Sequence, residues 1–422
     1  MPRRLGVALS GGGDSTALLL ALREAAPQIA VTAYIVDHAL RPESAEEARR
    51  AARMAHDAGA SARILTWDAP RPGQGHARTA RHSLLAEACR KDGVTLLCLA
   101  HTLEDRIETL RMRAARGGPE ATLTGPGAFD PSPVWPEGRD LNLARPFLSL
   151  TRAQLRAYLA SRGAGWIEDP SNADARYERV RLRQAPISDG AARALIERSD
   201  AARAAAAADA EAARGLIRRG AAMTGWGGAQ LDRAAFDLPA APARRAFEAL
   251  LLAVSGAPSP PAPRLVTAGL EALNAGEAWT GAGAMLTPGG VLGRDPGAAG
   301  RKDARAAPAL RLRPGETGVF DGRFEVAGPA RVEMLGERRP EAGDLSKISG
   351  PFRRTLPFDA DSGAVLAGPA GQDLVKARAI AAERISGRLM ARTPPAWFDG
   401  VSAEARACAA LAKPVLKSNM RL

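Results

Sequence analysis

The chain has 422 residues, 46% apolar and 25% charged, which excludes a disordered polyampholyte and leaves room for two or three packed domains. Lys and Arg exceed Asp and Glu by 12, an excess that points to a polyanionic partner such as nucleic acid. Aromatic residues are only 4%, too few for a platform of rings stacking bases, and the three cysteines (Cys89, Cys98, Cys408) form no CxxC, which argues against a zinc ribbon, a disulfide scaffold or an iron–sulfur cluster.

In chain order, Leu5–Leu9 reads as a strand and Asp14–Ala25 as a helix. The basic pair and apolar run at the start end in Gly and Asp after about five residues, too soon for a signal peptide. Ala30–Val36 is a strand, Glu43–Ala58 a charged amphipathic helix, Ser61–Trp67 a strand and Gly75–Lys91 a helix. Val94–Ala100 and Leu103–Ala115 repeat the alternation once more. Such alternation with apolar strands predicts an α/β fold, a doubly wound parallel sheet covered on both faces. Gly117–Gly138 reads as a loop and Leu150–Arg162 as a helix capped by Thr151. Residues 188–252 are Ala-rich and favour helices, 275–310 carry no assignable pattern, and 309–422 read as a small α+β module. The expected domains are 1–187, 188–308 and 309–422. No run nears the roughly 18 apolar residues that cross a bilayer, so a cytoplasmic protein without a membrane or evident protein partner is expected.

The sharpest motif is Ser10-Gly11-Gly12-Gly13-Asp14-Ser15, between the first strand and the first helix. Glycines let a ligand approach the backbone, and the N–H groups of a helix start favour an anion, although such a turn can also be purely structural. No Lys follows, so this is not the GxxxxGK[ST] loop, and a nucleotide here presents its pyrophosphate. Asp37 and His38 directly follow the second strand, beyond the carboxyl end where open α/β sheets bind ligands. His101, Asp105 and Glu108 are spaced four and three apart, which predicts one helix face. That face either holds Mg²⁺ with ATP, orients an amine nucleophile, or is merely solvated. His76 and His82, with Arg78 and Arg81, read as a basic surface. Arg176, Arg179, Arg181 and Arg183 form a run that grips RNA phosphates or stays solvated.

SGGGDS resembles the SGGxDS signature of the PP-loop ATP pyrophosphatases, and further segments resemble the tRNA(Ile)-lysidine synthase family. Val36–Ser44 is similar to its VDHGLRPES, and Ala100-His101, Asp105 and Glu108-Thr109 to its AHHxxDQxET. Arg113 and Arg116-Gly117 resemble its RxxRG, and Arg145–Leu148 its RPLL. Trp166–Asn172, with Asp174, Tyr177, Arg179, Arg181 and Arg183, resembles its WxEDPSNxDxxYxRNxIR. Together these cover roughly residues 5–183 in the family's order. Departures are Ala39 for Gly, Thr102 for the second His, Glu104 for Asp, Arg106 for Gln and Val180 for Asn.

The resemblance implies a ligase for which ATP adenylates the wobble cytidine of tRNA(Ile) with a CAU anticodon and free lysine displaces AMP. ATP is then expected at Ser10–Ser15 and Asp37, with Asp14 and Asp105 as candidate Mg²⁺ ligands. Asp105 and Glu108 would take the lysine amine, and His38 and His101 would organise cytidine and adenylate. Arg41, Arg113, Arg116, Asp169, Asn172, Arg176, Arg179, Arg181 and Arg183 are the candidate tRNA or substrate contacts. A PP-loop tRNA sulfur-transferase and a catalytically silent tRNA-binding protein are the alternatives.

Overall fold

The computed structural model describes residues 4–39, 43–68, 74–118, 122–168, 185–237, 240–299, 307–341, 345–368, 377–389, 401 and 403. They fall into two compact units, residues 1–206 with 392–422, and residues 207–391.

In the first unit, β1 (Arg4–Ala8), α1 (Gly13–Ala25), β2 (Ala30–Asp37), α2 (Ser44–Asp57), β3 (Ser61–Thr66), α3 (Gln74–Lys91), β4 (Leu96–Cys98) and α4 (Leu103–Ala115) follow the expected alternation. The sheet has six strands in the order β3-β2-β1-β4-β6-β5, where β5 is Phe129–Pro131 and β6 is Asn142–Ala144. All pairs are parallel except β5 with β6. Along β1, Leu5 and Val7 enter one apolar cluster while Ala8 enters another, and β4 splits the same way with Cys98 against Leu97. The period of two with both faces apolar is what a doubly covered sheet requires. Strand order reverses at β1, between β2 and β4, so the crevice beyond the ends of β1 and β4 is the switch point where such sheets bind ligands.

Two helices that border this crevice start on capping boxes. Thr102 and Asp105 cap α4, and Thr151 and Gln154 cap α5 (Arg152–Ser161), as Thr151 led one to expect. The segment read wholly as loop contains β5, a three-residue edge strand too short to show alternation.

The second unit holds sheets the sequence hid. The helix Asp189–Gly220, which starts in the first unit and of which residues 207–220 belong to the second, confirms the Ala-rich reading, but strands Ala221–Met223 and Ala229–Leu231 interrupt the expected helices before the helix Ala240–Ser255. The unassigned stretch supplies strands Trp279–Gly281, Ala284–Leu286 and Val291–Arg294 of a five-stranded antiparallel sheet. The two-residue turn Ala282-Gly283 has positive φ at both positions, 51° and 74°, the primed geometry that tight hairpins prefer. Strands Leu310–Leu312, Ala330–Met334, Pro357–Asp359 and Ala364–Val365 form a four-stranded sheet, strands Thr317–Phe320, Phe324–Ala327 and Ala377–Ala379 a three-stranded one, and the helix Ala381–Leu389 follows. Arg323 is fully buried there, donating to Asp321 at 2.8 Å and to the Thr355 carbonyl at 2.5 Å. Among the described residues no helix is long and apolar enough to cross a membrane.

Candidate active site

The turn after β1 is built around Gly11, whose φ is +81°. A Cβ there would lie 2.5 Å from Ile167 Cδ1, so any side chain would both strain the left-handed backbone and displace Ile167, and glycine is favoured. The Gly11 carbonyl accepts from the Ile167 amide at 2.8 Å and the Thr16 hydroxyl at 3.2 Å. Ser15 Oγ donates to the Gly12 carbonyl at 2.9 Å and accepts from the Ser10 amide at 3.2 Å. Gly12 is the N-cap of α1 and supplies no side chain to cap it. The first amides of α1, from Gly13 onward, therefore face the crevice with the positive end of the helix dipole behind them, an arrangement suited to an anion. Trp166 flanks this turn, its ring 3.6 Å from where a Cβ on Gly13 would stand.

Beside the anion-binding turn lies a cluster of carboxylates. Asp14 comes from the first turn of α1, and Asp105 and Glu108 from α4. One side chain joins all three. Arg152 Nε donates to Asp14 Oδ2 at 3.2 Å, Nη2 to Asp105 Oδ1 at 2.5 Å, and Nη1 lies 3.5 Å from Glu108 Oε1. The Arg152 amide donates to Glu104 Oε1 at 2.9 Å. Burial, with Asp105 and Glu104 nearby, raises the Asp14 pKa above the ordinary carboxylate value although Arg152 opposes this. For Asp105 burial pulls upward, yet Arg152 and the Thr102 amide outweigh it and the net shift is downward. The sequence reading missed Arg152. The signal was there: a cation in the first turn of a helix opposes the helix dipole, which predicts an acidic partner elsewhere.

His101 does not lie on the α4 face with Asp105 and Glu108, as its spacing suggested. It precedes the N-cap Thr102, so α4 begins only at Leu103 and carries the two carboxylates alone. Its ring is held from the other side. Arg145 Nε donates to His101 Nδ1 at 3.0 Å, while Arg145 Nη1 reaches the Gly127 carbonyl at 2.8 Å and Asp130 Oδ2 at 2.7 Å. Arg203 Nη2 donates to the other Asp130 oxygen at 2.8 Å. A guanidinium only donates, so Nδ1 is an acceptor and the proton of the neutral ring sits on Nε2. Burial, then Arg145, lowers the His101 pKa to about 3.

Around the histidines the charge is positive. Burial, then Arg78, Arg81 and Arg145, lowers the His82 pKa to about 4, and burial followed by Arg81 lowers that of His38. Helix α3 is thus more than the basic surface its sequence suggested, because Arg81 acts on both His38 and His101 and Arg78 acts on His101. His38 packs edge-on against Trp67, with ring centroids 6.2 Å apart, and its buried Nδ1 has no partner among the described residues. Asp37 is buried, accepting from the Ala39 amide at 2.9 Å and the Ser44 hydroxyl at 2.7 Å. Ala39 has φ +51°, which explains why the resembling motif places Gly there.

The structure thus brings the Ser10–Ser15 turn together with Asp105 and Glu108 through Arg152, and it ties His101 to Arg145. Arg113 and Arg116 lie at the far end of α4, where Arg113 donates to Thr124 Oγ1 at 3.1 Å. Arg41, Asp169, Asn172, Arg176, Arg179, Arg181 and Arg183 lie outside the described residues. The departures from the motif have local work to do. Thr102 caps α4, Glu104 holds the Arg152 amide, and Arg106 pairs with Asp200.

Comparison with known proteins agrees with this geometry. A PP-loop domain model matches residues 1–188. The tRNA(Ile)-lysidine synthase of Caulobacter vibrioides is 35% identical over 377 residues, 84% of this chain and 83% of its own. This chain belongs to the tRNA(Ile)-lysidine synthase family. Similar matches are the tRNA(Ile)-lysidine synthases of Rhizobium meliloti, 35% identical over 78% of this chain and 74% of its own, and of Brucella melitensis biotype 2, 34% identical over 80% and 79%. Among solved structures, the U34-tRNA thiolase NcsA from Methanococcus maripaludis with its [4Fe-4S] cluster has a TM-score of 0.39 and 13% identity, covering 47% of this chain and 70% of that one. That likeness is too slight to bear on the chemistry.

Proposed function

We propose that this ATP-dependent ligase joins free lysine to C2 of the wobble cytidine of tRNA(Ile) with a CAU anticodon. The C2 carbonyl oxygen attacks the α-phosphorus of ATP and pyrophosphate departs. Adenylation thereby turns a poor leaving group into a good one, and the ε-amine of lysine attacks C2, loses a proton and expels AMP. Decoding changes from AUG to AUA. The observation that carries this reading is the adjacency of the two halves: uncapped helix amides for a pyrophosphate, and the carboxylates Asp105 and Glu108 for an ammonium, bridged by one arginine to Asp14.

The residues take separate parts. The Ser10–Ser15 turn binds the β-phosphate side of ATP, and Asp37 shapes the neighbouring turn through Ala39 and Ser44. Neutral His101 presents Nε2–H as a donor to the cytidine or the adenylate oxygen, and His38 lines the same crevice. Asp105 and Glu108 orient the amine. The donor set fits Mg²⁺ in the way nucleotide sites use it: no group of three or more metal-ligating side chains occurs among the described residues, but Asp14 Oδ1 has no partner among them, and one or two carboxylates plus phosphates suffice. Asp14 and Asp105 would hold the ion, which supplies charge neutralisation on the departing pyrophosphate.

The sulfur-transfer alternative suits the cysteines poorly, since Cys89 and Cys98 are buried thiols whose pKa values burial pushes up to about 12. We assign catalysis to residues 1–187, tRNA binding to 188–308 and 309–422 with Arg41, Arg113, Arg116, Asp169, Asn172 and the arginines at 176, 179, 181 and 183, and a cytoplasmic location. The test is incubation with a CAU-anticodon tRNA(Ile) transcript, ATP and labelled lysine. Label in the RNA with equimolar AMP is expected, and it should vanish when the wobble base is uridine. AMP release that needs a sulfur donor, or none at all, would reject the assignment.

A further inference from the structure

We propose that Arg152 is a positioning residue of the ligation, a fixed cation that ties the nucleotide-side Asp14 to the amine-side Asp105 and Glu108 and limits how tightly the site holds an incoming ammonium. This rests on the reading that the lysine amine enters between Asp105 and Glu108. Each of the three guanidinium nitrogens serves a different carboxylate, at 3.2, 2.5 and 3.5 Å. The anchor is fixed at its root, because the Arg152 amide donates to Glu104. Its place in the first turn of α5 runs against the helix dipole, so the carboxylates rather than the helix hold it there.

Three carboxylates against one guanidinium give the side chains of the cluster, Asp14, Asp105, Glu108 and Arg152, a net charge of −2 before any ion or substrate is added. An ammonium is therefore still attracted, but less than by three bare carboxylates. Removing Arg152 has two effects. The carboxylates lose the partner that sets their spacing, and the pocket becomes more negative. An ammonium then binds more firmly in the ground state while the amine is no longer aimed at C2. Ground-state affinity that is absent from the transition state lowers KM and kcat together.

The experiment is steady-state lysine kinetics for wild type, Arg152→Gln and Arg152→Lys at saturating tRNA and ATP. For Arg152→Gln, the lysine KM is expected to fall roughly tenfold, from stronger Coulomb attraction at an effective dielectric near 20, and kcat roughly a hundredfold, from the lost aim of the amine at C2. Arg152→Lys keeps the charge but not the three-way fork, so a KM near wild type with a reduced kcat is expected; this variant carries the test if Arg152→Gln does not fold. A residue that only supported the fold would lower kcat at constant KM. Constant or raised lysine KM in Arg152→Gln, or raised KM in Arg152→Lys, overturns the proposal. Wild-type protein that transfers no lysine overturns the underlying ligation reading instead.

Discussion

Replacing His101 by Asn tests the buried, neutral imidazole at the crevice. In the fold, burial and then Arg145 hold the His101 pKa at about 3; in the unfolded chain it returns to roughly 6.5. Between those values the unfolded state binds a proton that the folded state refuses. Stability therefore rises with pH through this window and is lost as pH falls below the unfolded pKa. At pH 5 the folded ring is still neutral, so the loss depends only on the unfolded value. With a gap of about 1.5 pH units at about 1.4 kcal/mol each, it comes to about 2 kcal/mol. Asn keeps an oxygen near the position of Nδ1 for Arg145 and has nothing to titrate. Urea unfolding of both proteins at pH 7.5 and 5.0, with a probe in the N-terminal unit, gives the difference; contributions from His82 and the carboxylates cancel. Wild type should lose about 2 kcal/mol more than His101→Asn between the two pH values. Equal losses would refute the buried neutral ring.

Gly11→Ala should destabilise the N-terminal unit by about 2 kcal/mol, the cost of a left-handed alanine plus displacement of Ile167, and raise the KM for ATP; unchanged melting would show that the turn relaxes freely. Asp14→Asn should cut lysine-independent pyrophosphate release by roughly a hundredfold while tRNA affinity stays within about twofold. Normal release would remove Asp14 from the nucleotide site. Replacing Arg179 and Arg181 together by Ala should flatten the salt dependence of tRNA binding by about two counterions, measured by filter binding from low to high salt. An identical slope would show those arginines to be solvated.

The N-terminal alternation of strand and helix was legible because apolar strands and charged helices have different periods, and the helix Leu103–Ala115 matches its expected bounds. The candidate site's residues stood out in the sequence wherever short motifs mark strand ends, as at Ser10–Ser15, Asp37 and His101. The ties between them were not. Arg145 meets His101 across 44 residues and Arg203 meets Asp130 across 73, separations that no local pattern encodes. His101 was misplaced onto α4 because its four-residue spacing ignored Thr102, whose hydroxyl caps the helix and excludes the preceding residue. In the second unit, three-residue strands such as Ala221–Met223 and Trp279–Gly281 are too short to show alternation, and only their pairing partners define them.

The most direct measurement is a crystal structure with a non-hydrolysable ATP analogue and the tRNA anticodon stem-loop bound. The account places the β-phosphate on the amides that begin α1, and C2 of the wobble base between His101 and the Asp105–Glu108 pair. Phosphates lodged elsewhere, with the Ser10–Ser15 turn bare, would contradict it.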